Sequence, residues 1–309
     1  AQTTINRALK LEPNNYEALN NLASICLRQG RNDDAEAAFH RALTINPDYE
    51  LAYIGLIYVR DFNPRLTFEE QQMDRRRWAE RFSNPLGSTL PVQHKNTKDP
   101  ERKLRIGYVS GDFRNHSAAI SFSPTILERD HNSFDAYCYM TSTHRDSITE
   151  KFELSANAWR SVWGMSDAEL LAQIQLDEID ILVDLAGHSA GNRLPVFARH
   201  PAPIQISAWG HCTGTGMKAM DYIFSDDIVM PPEDARHCAE EVVELSCCIS
   251  FAPPQDAPGV TASPTQSNGF VTFGSLNRIE KISEQTLAAW SNILRRTPGS
   301  RLQLKNTRS

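Results

Sequence analysis

Three histidine-bearing segments, rich in glycine and small polar side chains, hold the residues of this sequence best suited to chemistry. They are SGDFRNHSAA (110–119), AGHSAGNR (186–193) and GHCTGTG (210–216). In the first, Gly111 permits a tight turn and His116 stands where a helix begins. An imidazole in that position can orient a hydroxyl group or take its proton near neutral pH, or it can simply cap the helix. Asp184 and His188 flank the end of the apolar run that leads into the second segment, and both are candidates to line a cleft. His116, His188 and His211 are widely spaced and lack a partnering carboxylate pattern, which argues against a metal site. Lys281 lies in NRIEKIS (277–283), just before a helix expected to start near Ser283. Taken alone, it reads as a solvated loop lysine. No segment matches the glycine-rich fingerprint of a dinucleotide site or a nucleoside-triphosphate P-loop.

These segments have to be held by something, and from Leu104 onward the pattern supplies it. Short β-rich runs alternate with helical ones, the signature of a mostly parallel sheet covered by helices. LRIGYVS (104–110), FDAYCYM (134–140), IDILVDL (179–185), IQISAW (204–209) and DYIFSD (221–226) read as strands, the third apolar enough to be central. Ser166 and Glu169 form a capping box that opens the helix before it. In such sheets ligands collect at the carboxyl ends of the strands, where the three segments fall. A further unit opens near Gly269 with a strand (270–276), the NRIEKIS loop, a helix over 284–296 and a strand (301–305). On the helix, Leu287, Trp290, Ile293 and Leu294 share one face.

The front of the chain follows another rule. Pro13 and Pro47 are 34 residues apart, as are Ala8 and Ala42, and the residues between fit a tetratricopeptide pattern. Leu19, Leu22 and Ala23 mark a first helix, Gly30 a turn, and Ala35, Phe39 and Ala42 a second, with a third repeat that begins at Glu50 and loses the pattern. Such a segment can select a protein partner or merely cover the next domain. Residues 68–82 read as one amphipathic helix with Met73, Trp78 and Phe82 as apolar contacts and Arg75, Arg76 and Arg77 as a solvated face. Ser83 to Arg102 reads as a linker. The resulting organisation is repeats over 1–60, helix and linker over 61–102, a Rossmann-like lobe over 103–252, a linker over 253–268 and the start of a second lobe over 269–309.

A net charge of −6 argues against a general nucleic-acid binder. No apolar stretch reaches the length of a membrane span, no signal peptide is visible, and six cysteines without a CxxC pair suit free thiols in a reducing, cytoplasmic setting. Both ends read as cut, the first in mid-helix and the last just after a strand.

The stretches LRIGYVSGDFRNHS, IDILVDLAGHSAGNRLPVFARHPAPIQ, MDYIFSD and VTFGSLNRIEKIS, in this order behind tetratricopeptide repeats, resemble the catalytic region of O-linked N-acetylglucosamine transferases, including plant Spindly-type members and bacterial relatives. The resemblance covers essentially the whole chain. It implies an α/β GT-B fold of two Rossmann-like lobes, the second incomplete here, and inverting transfer of a sugar from a nucleoside diphosphate to Ser or Thr without a metal or other cofactor. The absence of a DxD pair fits a metal-free mechanism. By motif it makes His116 the active-site histidine, Lys281 the lysine on the donor diphosphate and Gly210 a glycine lining the donor pocket. Arg278 and Glu280 stand where other members carry a polar and an aromatic residue that touch the nucleotide. Ala208 to Cys212 replaces a Trp-Leu-Gly-Tyr-Pro stretch and lacks its proline.

The chemistry is coherent with this. A departing diphosphate gathers negative charge, and without a metal a cation and a helix N-terminus must stabilise it. The resemblance thus implies UDP-N-acetylglucosamine as donor, proteins recruited through the repeats as acceptors, and no nucleic acid or membrane partner. A repeat scaffold with a decayed sugar site, and a fucosyltransferase using GDP-fucose, are the rival readings. Because the family's second lobe continues beyond residue 309, residues 1–309 alone are expected to bind donor weakly and to turn over negligibly.

Overall fold

The computed structural model describes residues 2–87, 94–210, 212–249, 251 and 256–305. The chain forms two compact units, one of residues 1–67 with 254–309 and one of residues 68–253.

In the first unit, helices α1 (Gln2–Leu11), α2 (Tyr16–Arg28), α3 (Asn32–Ile45) and α4 (Glu50–Arg60) form the repeat segment. Asn15 caps α2 by accepting from the Ala18 N–H at 2.9 Å, and Gly30 makes the α2–α3 turn with a left-handed φ of +73°. Ala23, Ala35, Ala42 and Ala52 are fully buried and let the helices approach, while Phe39 fills the space between α3 and α4. Gly55 leaves that room, because a Cβ would lie 2.3 Å from the Phe39 ring and displace it. The same unit holds the parallel pair β8 (Thr272–Ser275) and β9 (Arg301–Leu304), joined by a helix over Glu284–Arg296 whose Ser283 cap accepts from the Thr286 N–H. Of its expected apolar face, Trp290, Ile293 and Leu294 line a hollow with Phe273 and Leu302, and Leu287 and Ile293 are exposed.

The second unit opens with α5 (Phe68–Trp78), which passes through a π turn (Ala79–Ser83) into a short helical turn (Asn84–Gly87). The expected linker therefore starts later than Ser83, and residues 94–99 run without regular structure. Beyond it lie β1 (Leu104–Ser110), β2 (Phe134–Met140), β3 (Ala158–Ser161), β4 (Ile181–Asp184), β5 (Ile204–Ser207), β6 (Tyr222–Ser225) and β7 (Glu241–Glu244). They form one parallel sheet in the order β3-β2-β1-β4-β5-β6-β7. Helices α6 (Ser117–Leu127), α7 (Ser147–Ser155) and α8 (Asp167–Leu176) make the crossovers in the β1-to-β4 half, and the Ser166–Glu169 capping box is present at the start of α8.

The order reverses between β1 and β4. That is the topological switch point at which a doubly wound sheet opens a crevice beyond its carboxyl ends. One core layer gathers Tyr108, Phe113, Phe122, Cys138 and Phe152. Four-residue β3 and β7, absent from the sequence reading, are the two edges of the sheet. Short, half-solvated edge strands carry no apolar run to announce them.

Candidate active site

Phe113 anchors the loop that leaves β1. It is fully buried and packs edge-on against Phe122, Phe152 and Trp159 at centroid distances of 5.6, 5.2 and 5.5 Å. The Asn115 N–H donates to Asp146 at 2.8 Å, tying this loop to the cap of α7. Between these fixings His116 is the N-cap of α6, with about two fifths of its side chain exposed (39%). Its Nδ1 accepts from the Ala118 N–H at 3.3 Å, the capping contact, and stands 3.4 Å from the Asp112 carboxylate. The two contacts demand opposite states. Capping needs a lone pair on Nδ1, whereas Asp112 favours a proton there. With Nδ1–H turned to Asp112, the Nε2 lone pair is free to accept a hydroxyl proton, the tautomer a general base requires. Arg114 reaches the other oxygen of Asp112 at 2.9 Å.

At the exit of β4 Asp184 is buried, and its two oxygens accept from the Ala186 and Gly187 N–H groups at 3.1 and 2.9 Å. The turn is thereby fixed by the carboxylate. His188 is buried too, its Nε2 2.8 Å from the Thr215 carbonyl. A carbonyl can only accept, so Nε2 carries the proton. The ring stands edge-on to Trp78 at 4.7 Å.

The exit of β5 is pressed against that of β4. Trp209 takes a left-handed φ of 47°, and a Cβ on Gly210 would fall 1.8 Å from the Leu185 carbonyl oxygen. Only glycine fits. His211 lies outside the described residues. From Thr213 to Gly216 both threonine hydroxyls, the Thr213, Gly214 and Thr215 carbonyls and the Thr215 N–H are engaged. Gln72 donates to the Thr213 carbonyl at 2.6 Å, and Arg75 donates to the Thr213 hydroxyl at 2.6 Å and the Gly214 carbonyl at 3.2 Å. Glu240 accepts from the Thr215 N–H and hydroxyl, both at 2.5 Å.

Arg75 corrects the sequence reading. It is fully buried rather than solvated, because Gln72, Arg75 and Trp78 share the face of α5 that meets this turn. Arg76 donates to the His237 carbonyl and Arg77 alone points largely to solvent, paired with Asp74, while Met73 is exposed. The spacing of Gln72 and Arg75 three residues apart, ahead of a buried tryptophan, was the available signal.

Beyond β6, Asp226 collects the N–H groups of Ile228, Val229 and Cys248. The Cys248 and Val229 N–H bonds, with the Cys248 thiol, hold its carboxyl down at about 2. Burial, with Asp226 beside it, pushes the Cys248 thiol up to about 12.

In the other unit Lys281 ends a single 3-10 turn (Ile279–Lys281) and is exposed, two residues before the Ser283 cap. The turn leans on the repeat helices. Asn32 donates to the Glu280 carbonyl at 3.1 Å, and the Arg278 guanidinium lies 5.9 Å from the centre of the Tyr58 ring. Arg278, expected beside the nucleotide, thus has an aromatic neighbour in the repeats. All six cysteines are free thiols, and no helix among the described residues is long and apolar enough to cross a membrane.

Comparison with known proteins converges on one family. A model described as glycosyl transferase family 41 matches residues 87–249, and a tetratricopeptide-repeat model matches residues 1–50. The chain is 35% identical over 215 residues to the Arabidopsis thaliana protein named "Probable UDP-N-acetylglucosamine–peptide N-acetylglucosaminyltransferase SPINDLY", covering 68% of this chain and 24% of that one. A rice protein of the same name is 30% identical over 273 residues, 87% of this chain and 29% of its own. The solved structure of a Thermobaculum terrenum O-GlcNAc transferase mutant superposes with a TM-score of 0.90 at 34% identity, over 98% of this chain and 57% of that one. The chain therefore spans about a quarter of the length of these curated relatives. The superposition carries the GT-B architecture to this chain, and the tetratricopeptide repeats precede it in sequence.

Proposed function

Because the chain belongs to glycosyl transferase family 41, we propose that the whole protein transfers N-acetylglucosamine from UDP-N-acetylglucosamine to Ser or Thr hydroxyls of protein acceptors, with inversion and without a metal. The observation that carries this reading is the arrangement at the exit of β1. A half-exposed imidazole stands at the switch point of a doubly wound sheet with a carboxylate at its Nδ1, poised to orient or deprotonate an acceptor hydroxyl. For the leaving group, the exposed cation of Lys281 beside a capped helix N-terminus supplies the charge that a metal would otherwise bring. Recruitment of acceptors falls to the repeats, and the free thiols suit action in the cytoplasm.

The test is transfer of radiolabel from UDP-N-acetylglucosamine by the full-length gene product and its Lys281→Ala variant, with UDP and GDP titrated against both by calorimetry. Incorporation should fall at least about a hundredfold in the variant, the range seen when one stabiliser of developing charge is removed. Equal incorporation would remove Lys281 from the reaction. Binding of GDP in preference to UDP would overturn the donor.

A further inference from the structure

Arg75 is a charged side chain to which the proposed mechanism gives no part and which the protein nevertheless buries completely. Taking a guanidinium out of water is unfavourable, and a well-packed apolar residue of similar volume is often as stable or more so. A buried arginine is thus poorly explained by stability alone. Its planar fork, in contrast, is suited to fixing several acceptors at set angles. Here it donates Nε to the Gly214 carbonyl, one terminal nitrogen to the Thr213 hydroxyl at 2.6 Å, and the other to the Gln71 carbonyl of its own helix at 3.0 Å.

The surroundings extend the same arrangement. Gln72 holds the Thr213 carbonyl. Gly216 lies so close that a Cβ there would come within 2.6 Å of the Arg75 backbone, and its φ of +74° excludes most other residues. Thr215 passes the constraint on to His188 at the exit of β4, and His188 in turn packs against Trp78 of α5. One helix, upstream of the segment matched by the family model, therefore grips the loops that leave both β4 and β5.

We propose that Arg75 is a positioning residue of the donor site, which sets the backbone of the 213–216 turn and so keeps the Gly210 edge of the pocket in its binding shape. The inference rests on the proposed transferase reading. It assigns to α5 a part in donor binding rather than the role of a spacer between repeats and lobe.

The experiment uses the full-length protein with Arg75→Met, Arg75→Lys and Thr213→Val. UDP affinity is measured by calorimetry, and kcat with the separate KM values for donor and acceptor by radiolabel transfer, each at a fixed interval below the variant's own Tm. Arg75→Met and Thr213→Val should raise the UDP Kd and the donor KM by about tenfold or more, as small misplacements of a binding group do, with the acceptor KM unchanged. Arg75→Lys keeps the charge without the fork and should recover part of the loss. The double variant should be no worse than Arg75→Met alone, since both remove the same bond. If Arg75→Met does not fold, Thr213→Val, which keeps volume and loses only a hydroxyl, carries the test. Wild-type donor KM and UDP affinity in Thr213→Val and in a folded Arg75 variant, whatever their Tm, would make Arg75 a packing residue and overturn the inference. A wild-type protein that binds no nucleotide would instead sink the transferase reading, and this inference with it.

Discussion

Replacing Gly210 by alanine tests the juncture on which the candidate donor pocket depends. The added Cβ would sit 1.8 Å from the Leu185 carbonyl oxygen, 2.1 Å from its carbon and 2.6 Å from the Ala186 nitrogen. All three are backbone atoms, so no side chain can swing aside. Contacts of this kind are not found below 3.0 Å, and the exits of β4 and β5 must therefore separate by about 1.2 Å. Overpacking of this sort costs about 1–3 kcal/mol. For a unit the size of residues 68–253 that lowers Tm by roughly 2–12 °C. The movement also disturbs the turn capped by Asp184 and the His188 contact to Thr215, and a displacement of about 1 Å can cost about a hundredfold in rate. Thermal unfolding followed by circular dichroism, with calorimetry of UDP binding to the full-length protein, reads both effects. A variant with unchanged Tm and unchanged UDP affinity would refute the claim that this glycine holds the two strand exits together.

Asp112→Asn should lower kcat by roughly a hundredfold, with UDP affinity preserved, because the amide can no longer hold a proton on His116 Nδ1 and free Nε2 as acceptor; single-turnover transfer by the full-length protein with saturating donor checks this, and an unchanged rate would relegate His116 to capping. Acid stability should depend on Asp226, whose carboxyl is held at about 2 in the folded chain. Its folded value lies below the unfolded one of about 4, so the stabilisation is complete above that range and is lost as pH falls towards about 2. In urea titrations across this interval, the difference between the wild type and Asp226→Asn should be largest near neutrality and shrink below about pH 3. A constant difference would mean that the N–H bonds from Cys248 and Val229 do not discriminate the ionised form.

The sequence by itself determined the elements and their chemistry. Apolar runs placed β1, β2, β4, β5 and β6 to within a residue or two, because strands buried on both faces have to be apolar throughout. The 34-residue period fixed the repeat helices, and the Ser166 cap fixed a helix start, since capping is a local matter of one side chain and the N–H groups just after it. The motifs around His116 and Lys281 carried the family. Only the tertiary structure decided which polar residues are buried and what they hold. Three consecutive arginines look alike in a helical pattern, and the turn after β5, nearly 140 residues later, selects Arg75 from among them. Asp184 and His188 were visible as candidates, but their partners at Ala186, Gly187 and Thr215 were not. The edge strands β3 and β7 are defined by their pairing with β2 and β6. Periodicity records which face of an element avoids water, whereas hydrogen bonds between distant segments depend on where the chain returns, and that is a property of the folded whole.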